Sequence, residues 1–352
     1  MSRHLPYTIN DISLIIIYQG VSESDTSLPF LRNRMFLKAA ISCIMIIMKK
    51  VGFFYDDVFL RHETPEFHPE NKNRLVSIVN ELKNSGTWDN LIHISPLKAS
   101  FSDLSLVHSE RYIEKVRKLG TGYLDSDTYM SAGSIDSSCH AAGAVMTAID
   151  KCREKEIDSA FCAVRPPGHH AEASAAMGFC IFNNAAIGAR YAQKIGYQKV
   201  FIVDFDVHHG NGSQHIFEDD DTVYFFSTHQ YPHYPGTGRD SEKGKGRGEG
   251  FTHNIPMQAR SGDSDYVDAY RRVLPSLVKG FSPDIMLVSA GYDILAEDPL
   301  SSIQVSLDGI GEIVRNILHS SQVPVVFTLE GGYHLHALSK AVRITIEEML
   351  KR

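Results

Sequence analysis

Six short, continuously apolar runs rich in β-branched and aromatic residues constrain this chain most: residues 51–55, 159–164, 200–206, 222–227, 285–290 and 323–329. None shows the polar–apolar alternation of a strand with one wet face, so each predicts a strand covered on both sides. Between them lie segments of helical periodicity at 73–83, 109–118, 135–154, 184–194, 265–278, 307–318 and 335–350. Buried strands interleaved with helices predict an α/β chain: a single domain with a mostly parallel sheet and helices on both faces. No tandem repeat and no second zone of composition follows residue 48.

Residues 1–47 lack this alternation. Their apolar run at 36–48 is shorter than the about 20 residues that span a bilayer, and no small-residue cleavage site follows it. No stable membrane association is therefore expected. The stretch from Met48, MKKVGFFYDD, reads like a natural chain start. The expectation is an extension at 1–47 outside the fold and a catalytic domain at 48–352. The net charge of -7 argues against a nucleic-acid partner, which needs a basic footprint. Five cysteines (Cys43, Cys139, Cys152, Cys162 and Cys180) form no C-x-x-C pair, which predicts reduced thiols in a cytoplasmic protein. The run at 236–250, GTGRDSEKGKGRGEG, leads into FTHNIP instead of a helix, so it reads as a flexible surface loop, not a dinucleotide fingerprint.

In parallel sheets ligands bind at the carboxyl ends of strands. Four of the predicted strands end in reactive residues. The run from Phe201 to Gly210, FIVDFDVHHG, sets Asp204, Asp206 and His208 on one face if the strand continues through them. Buried carboxylates repel unless a cation holds them, and carboxylate oxygen with imidazole nitrogen suits zinc. Hydrogen-bonded core aspartates are the plainer alternative. Asp293, in SAGYD, would complete a three-ligand site, although an Asp after a strand is most often a helix cap. His169 and His170 follow a stiff Arg165-Pro-Pro-Gly frame and suit a general base or a ligand. Tyr333, after two glycines in LEGGY, can donate to a developing oxyanion, or simply fill the core.

In these residues the chain resembles the class II histone deacetylases and their acetylpolyamine amidohydrolase relatives, of the arginase–deacetylase fold. The likeness runs from about Val51 to the C-terminus. It rests on HPENKNR (68–74), RPPGHHAE (165–172), GFCIFNNAA (178–186), VDFDVHHGNGSQHIF (203–217), YPGTG (234–238), SAGYDILAEDPL (289–300) and LEGGY (329–333). It implies zinc on Asp206, His208 and Asp293, with His170 as general base and then acid. His169 would be its electrostatic partner on Asp204, and Tyr333 would polarise the substrate carbonyl. The resemblance also places Gly178, Phe179 and Tyr234 around an acyl-lysine tunnel and Arg74 near an acetate exit. A potassium ion would use Asp204, Asp206, His208, Ser227 and Thr228. Asn211 stands where class I enzymes carry an aspartate, which implies a lower pKa for His170.

The resemblance thus predicts removal of acetyl or another acyl group from lysine side chains of proteins or peptides. The alternative from the same fold is hydrolysis of small acetylated amines. Leu300 favours the first, because the polyamine-selective relatives carry a glutamate there. A two-manganese ureohydrolase is disfavoured by Gly210, which replaces a second metal-binding aspartate. A non-catalytic acyl-lysine binding module is disfavoured by the presence of every expected catalytic residue.

Overall fold

A computed structural model describes residues 49–352. The expected extension at residues 1–47, with Cys43, lies outside the described residues. The strands are β1 (Val51–Phe54), β2 (Ile92–Ile94), β3 (Gly122–Tyr123), β4 (Tyr129–Met130), β5 (Ser159–Cys162), β6 (Val200–Asp204), β7 (Val223–Gln230), β8 (Thr252–Met257), β9 (Ile285–Ala290) and β10 (Val325–Leu329). Eight of them form one sheet in the order β2-β1-β5-β10-β9-β6-β7-β8, and every pairing in it is parallel. β3 and β4 make a separate antiparallel pair.

The central strands are buried at every residue, as their continuous apolar sequences require. Helices Asn73–Asn84, Leu307–Ser320 and Leu335–Lys351 pack together on one side, while Ser134–Arg153 and Asn184–Lys194 pair on the other. Side-chain caps set several helix starts: Ser109 accepts from the N–H of Tyr112, Asn183 from Ala186 and Ser306 from Gly309.

The placement of four strands decides where chemistry can occur. β5, β10, β9 and β6 are consecutive in the sheet and run in one direction. Their carboxyl ends therefore lie on one edge, and those ends carry the four reactive sequences. One expectation needs correction, and one strand escaped the sequence reading. The 236–250 segment is tied down, because Glu242 accepts from the N–H groups of Gly238 and Arg239 and from Gln214 Nε2. This segment leads into β8, a strand whose mixed burial hides it from a search for continuous apolar runs.

Candidate metal centre and active site

β6 stops at Asp204, two residues short of the expectation, so strand alternation does not orient Asp206 and His208. Two Asx-type turns curl the chain away from the sheet instead. Asp204 Oδ1 accepts from the N–H of Asp206 (3.1 Å), and Asp206 Oδ1 from that of His208 (2.9 Å). Asp204 thereby turns towards His169, and the residues that converge are Asp206, His208 and Asp293. His208 Nδ1 lies 3.1 Å from Asp206 Oδ1 and 3.2 Å from Asp293 Oδ2. One ligand atom from each residue falls within 4.8 Å of the others.

The remaining lone pairs are largely accounted for. Asp293 Oδ1 accepts from Val207 N (3.0 Å), and Asp206 Oδ2 from Gly331 N (2.8 Å). Asp293 Oδ2 is buried and accepts no hydrogen bond despite its nearness to His208. The backbone approaches so closely that a Cβ on Gly291 would stand 2.1 Å from Asp206 Oδ2, and one on Gly331 2.1 Å from Asp293 Oδ2. Burial and the charge of Asp206 push the Asp293 carboxyl up to about 7. Burial works against a charged His208, but Asp206 and Asp293 outweigh it and raise the imidazole to about 10. Such a set favours a positive charge at its centre. The orphaned carboxylate oxygen and the two-carboxylate, one-imidazole donor set fit a divalent metal of the zinc type.

The histidine pair is held from behind. Glu330 Oε2 accepts from Gly168 N (2.6 Å) and His169 N (3.1 Å), which locks the loop after β5 to the turn after β10. His169 Nδ1 faces Asp204 Oδ2 at 3.0 Å, and His170 Nδ1 faces Asn211 Oδ1 at 2.7 Å. Both partners are acceptor oxygens, so each Nδ1 carries a proton. The two environments then push the pair apart. For His169, burial is outweighed by Asp204 and Asp206, which raise it to about 10. For His170, burial and the charges of His169 and His208 hold the pKa well below the usual value.

A cavity of about 170 Å³ opens over these groups. Its lining includes His169, His170, His208, Phe179, Tyr234 and Tyr333, together with Gly178 and Leu300. The Tyr234 ring stands 5.2 Å from that of His170. Gly178 has φ +54° and would place a Cβ 2.4 Å from His170 Cδ2, so no side chain fits there. Its neighbour Phe179 also has positive φ, a conformation that needs outside support, and its N–H donates to Thr128 Oγ1 (3.1 Å). Arg74 does not line this cavity. It is buried behind it, donating to the carbonyls of Gly332 (2.7 Å) and Glu330, with its guanidinium 5.2 Å from the Tyr333 ring centre. The hydroxyls of Ser227 and Thr228 pair with His229 (2.8 Å) and Tyr270 (2.7 Å).

Sequence reasoning passed over the residues that brace this site. Glu70 is fully buried and binds Arg165 through both oxygens and Arg74 at 3.2 Å. Arg165 also donates to the carbonyls of Phe59 and His62. Burial opposes the charge of Glu70, but Arg165 and His62 outweigh it and hold the carboxyl well below its usual range. The signal was available, since both charged residues sit beside proline inside the family-like segments at 68–74 and 165–172. Replacing Glu70 with Gln leaves two buried guanidiniums without their counter-charge. We expect a loss of about 3–5 kcal/mol in urea unfolding, the usual result of breaking a buried pair. Unchanged stability would show that Glu70 does not hold these loops.

The comparisons agree with this geometry. Residues 68–349 match the histone deacetylase domain family. A probable deacetylase of Archaeoglobus fulgidus is 38% identical, covering 80% of this chain and 81% of its own. Histone deacetylase 5 of Arabidopsis thaliana is 36% identical over 86% of this chain, and human polyamine deacetylase HDAC10 is 36% identical over 82%. This chain spans about half the length of those last two, 49% and 45%. The crystal structure of the HDA15 HD domain superposes with a TM-score of 0.83 at 34% identity, covering 86% of this chain and 88% of that one. With the parallel sheet, the converging Asp206, His208 and Asp293 and the histidine pair, these likenesses show that the chain belongs to the histone deacetylase domain family.

Proposed function

We propose that this chain hydrolyses the acyl amide of acylated lysine side chains in proteins or peptides, acetyl foremost, with zinc held by Asp206, His208 and Asp293. One observation carries the reading: His208, from the cluster of Asp206, His208 and Asp293, lines with His170 a cavity walled by Phe179 and Tyr234. Bound zinc would supply the Lewis acidity that activates water and polarises an amide carbonyl. His170, with its Nδ1–H held by Asn211, offers Nε2 to take the proton of the attacking water. The same nitrogen then returns a proton to the leaving amine, without which an amide does not cleave. His169, kept charged by Asp204, adds positive potential beside the developing oxyanion, to which the Tyr333 hydroxyl donates. The aromatic walls accept the neutral acyl-lysine stem and exclude the charged free amine by its desolvation cost.

Potassium would sit beneath β6 near Asp204. The engagement of the Ser227 and Thr228 hydroxyls favours ligation there through main-chain oxygens. A reducing compartment such as the cytoplasm suits the four cysteines of the described residues, all free and buried. No helix among the described residues is long and apolar enough to cross a membrane.

The test is a substrate panel on metal-reconstituted protein: acetyl-lysine peptides, longer acyl-lysines and acetylated polyamines. With Leu300 on the cavity wall, we expect acyl-lysine peptides to turn over fastest. Exclusive turnover of acetylated polyamines would move the assignment to the small-amine reading that one relative's name carries.

A further inference from the structure

We propose that Glu172 is a positioning residue for the general base, acting through Asn211 to fix the tautomer of His170. The inference rests on the proposed deacetylase chemistry and deepens it. Asn211 Oδ1 lies 2.7 Å from His170 Nδ1, while its Nδ2 donates to Glu172 Oε1 at 2.5 Å. The other groups near Nδ2 are the His170 carbonyl and the Met177 thioether, each at 3.4 Å, and both are acceptors. Every neighbour on that side thus demands a donor. An asparagine side chain alone can present either end, since its two ends are nearly equal in size. An ionised carboxylate only accepts, so Glu172 forces the NH2 towards itself and the oxygen towards His170. The imidazole must then carry its proton on Nδ1, and Nε2 keeps the lone pair that a base needs.

Glu172 is itself held in place. His215 Nδ1 lies 2.8 Å from the same Oε1, and the two side chains are 39% and 26% exposed. The Glu172 N–H donates to the Ala175 carbonyl (2.9 Å), and the Glu172 carbonyl faces His108 Nδ1 (3.0 Å). A hydrogen-bonded chain therefore runs from the protein surface at His215, through Glu172 and Asn211, to the base. In this chain a carboxylate stands one residue further from the imidazole than in a direct His–Asp pair. It supplies orientation while the neutral amide leaves His170 with its low pKa.

The test exchanges acid and amide along the chain. Glu172→Gln permits Asn211 to flip, and kcat on an acetyl-lysine peptide should fall at least about tenfold, within the about 10²–10⁴-fold that general base catalysis supplies, with KM little changed. Asn211→Asp sets two carboxylates face to face and should also lose activity. The double variant restores one acceptor facing His170 and one donor facing the carboxylate introduced at position 211, so it should exceed both single variants. A merely structural role predicts that the two losses multiply. ¹⁵N spectra of the imidazoles give a readout that needs no substrate. We expect Nδ1–H for His170 in the wild type and the double variant, and a mixture of tautomers in Glu172→Gln. A Glu172→Gln protein with wild-type kcat and an unchanged His170 spectrum, or a double variant no better than the worse single, overturns the proposal. A wild-type protein inert towards acyl-lysine would instead count against the function, and the spectra would still decide the role of Glu172.

Discussion

Asp206→Ala and Asp293→Asn will each emerge from dialysis with substoichiometric zinc and no measurable deacetylation. Each residue supplies one of the three side chains that converge on the site among the described residues, and His208 reaches both carboxylates through the same Nδ1. Losing one ligand leaves a two-donor site, too few for a tetrahedral ion that must also keep an open position. Asp293→Asn is the cleaner change, because an amide oxygen can still accept from Val207 N as Oδ1 does now. Asp206→Ala also strips acceptors from the N–H groups of His208 and Gly331, so local unfolding would accompany metal loss. Thermal melts separate the two effects. A ligand that binds only the folded state raises its stability by mass action, so zinc should raise the Tm of the wild type and not that of Asp293→Asn. Full zinc occupancy in both variants would refute the ligand set.

The parts of the fold that sequence exposes are those in which one periodicity dominates. β9 and the helix Asn184–Lys194 match their predicted limits, since a buried strand and a capped amphipathic helix each repeat one rule along their length. β8 escaped because an edge strand half in contact with solvent has no continuous apolar run, and β2 is too short to show one. The site follows the same division. Asp206, His208, Asp293, the histidine pair and Tyr333 stood out as candidates because reactive side chains at strand ends have few structural reasons to be there, and the structure brings them together. Strand alternation alone put Asp204 on the face of Asp206 and His208, because it cannot record the two side-chain-to-backbone turns that end β6 early; the family resemblance paired Asp204 with His169, where the structure has it. The partners of Glu70, Glu330 and Glu172 were hidden for a related reason, even though Glu70 itself stands in a family-like segment. Each of these acids acts on segments far away in sequence, and no spacing rule records such a partner. Glu330 shows the consequence: burial pushes its carboxyl up to about 7, yet it holds the backbone of Gly168 and His169 on the neighbouring strand end.

Tyr333→Phe should keep the metal and the fold while losing about 100- to 1000-fold in kcat, the usual effect of removing one oxyanion donor. The contacts that place the ring do not use its hydroxyl. The Tyr333 N–H donates to Asp298 Oδ2 at 2.6 Å, Phe179 meets the ring edge to face at 6.1 Å, and the Arg74 guanidinium lies 5.2 Å from its centre. Phenylalanine fills the same volume and retains all three. Burial, with Asp293 nearby, pushes the hydroxyl pKa well above its usual value, so the group stays a neutral donor across the working pH range. A neutral donor gains most where negative charge grows, and the amide oxygen is a weak acceptor until attack begins. The loss should therefore appear in kcat, with KM changed much less. Zinc content, Tm and steady-state kinetics measured on one preparation give the answer. Near wild-type turnover by a folded, zinc-loaded variant would remove Tyr333 from the chemistry and leave it as a wall of the cavity.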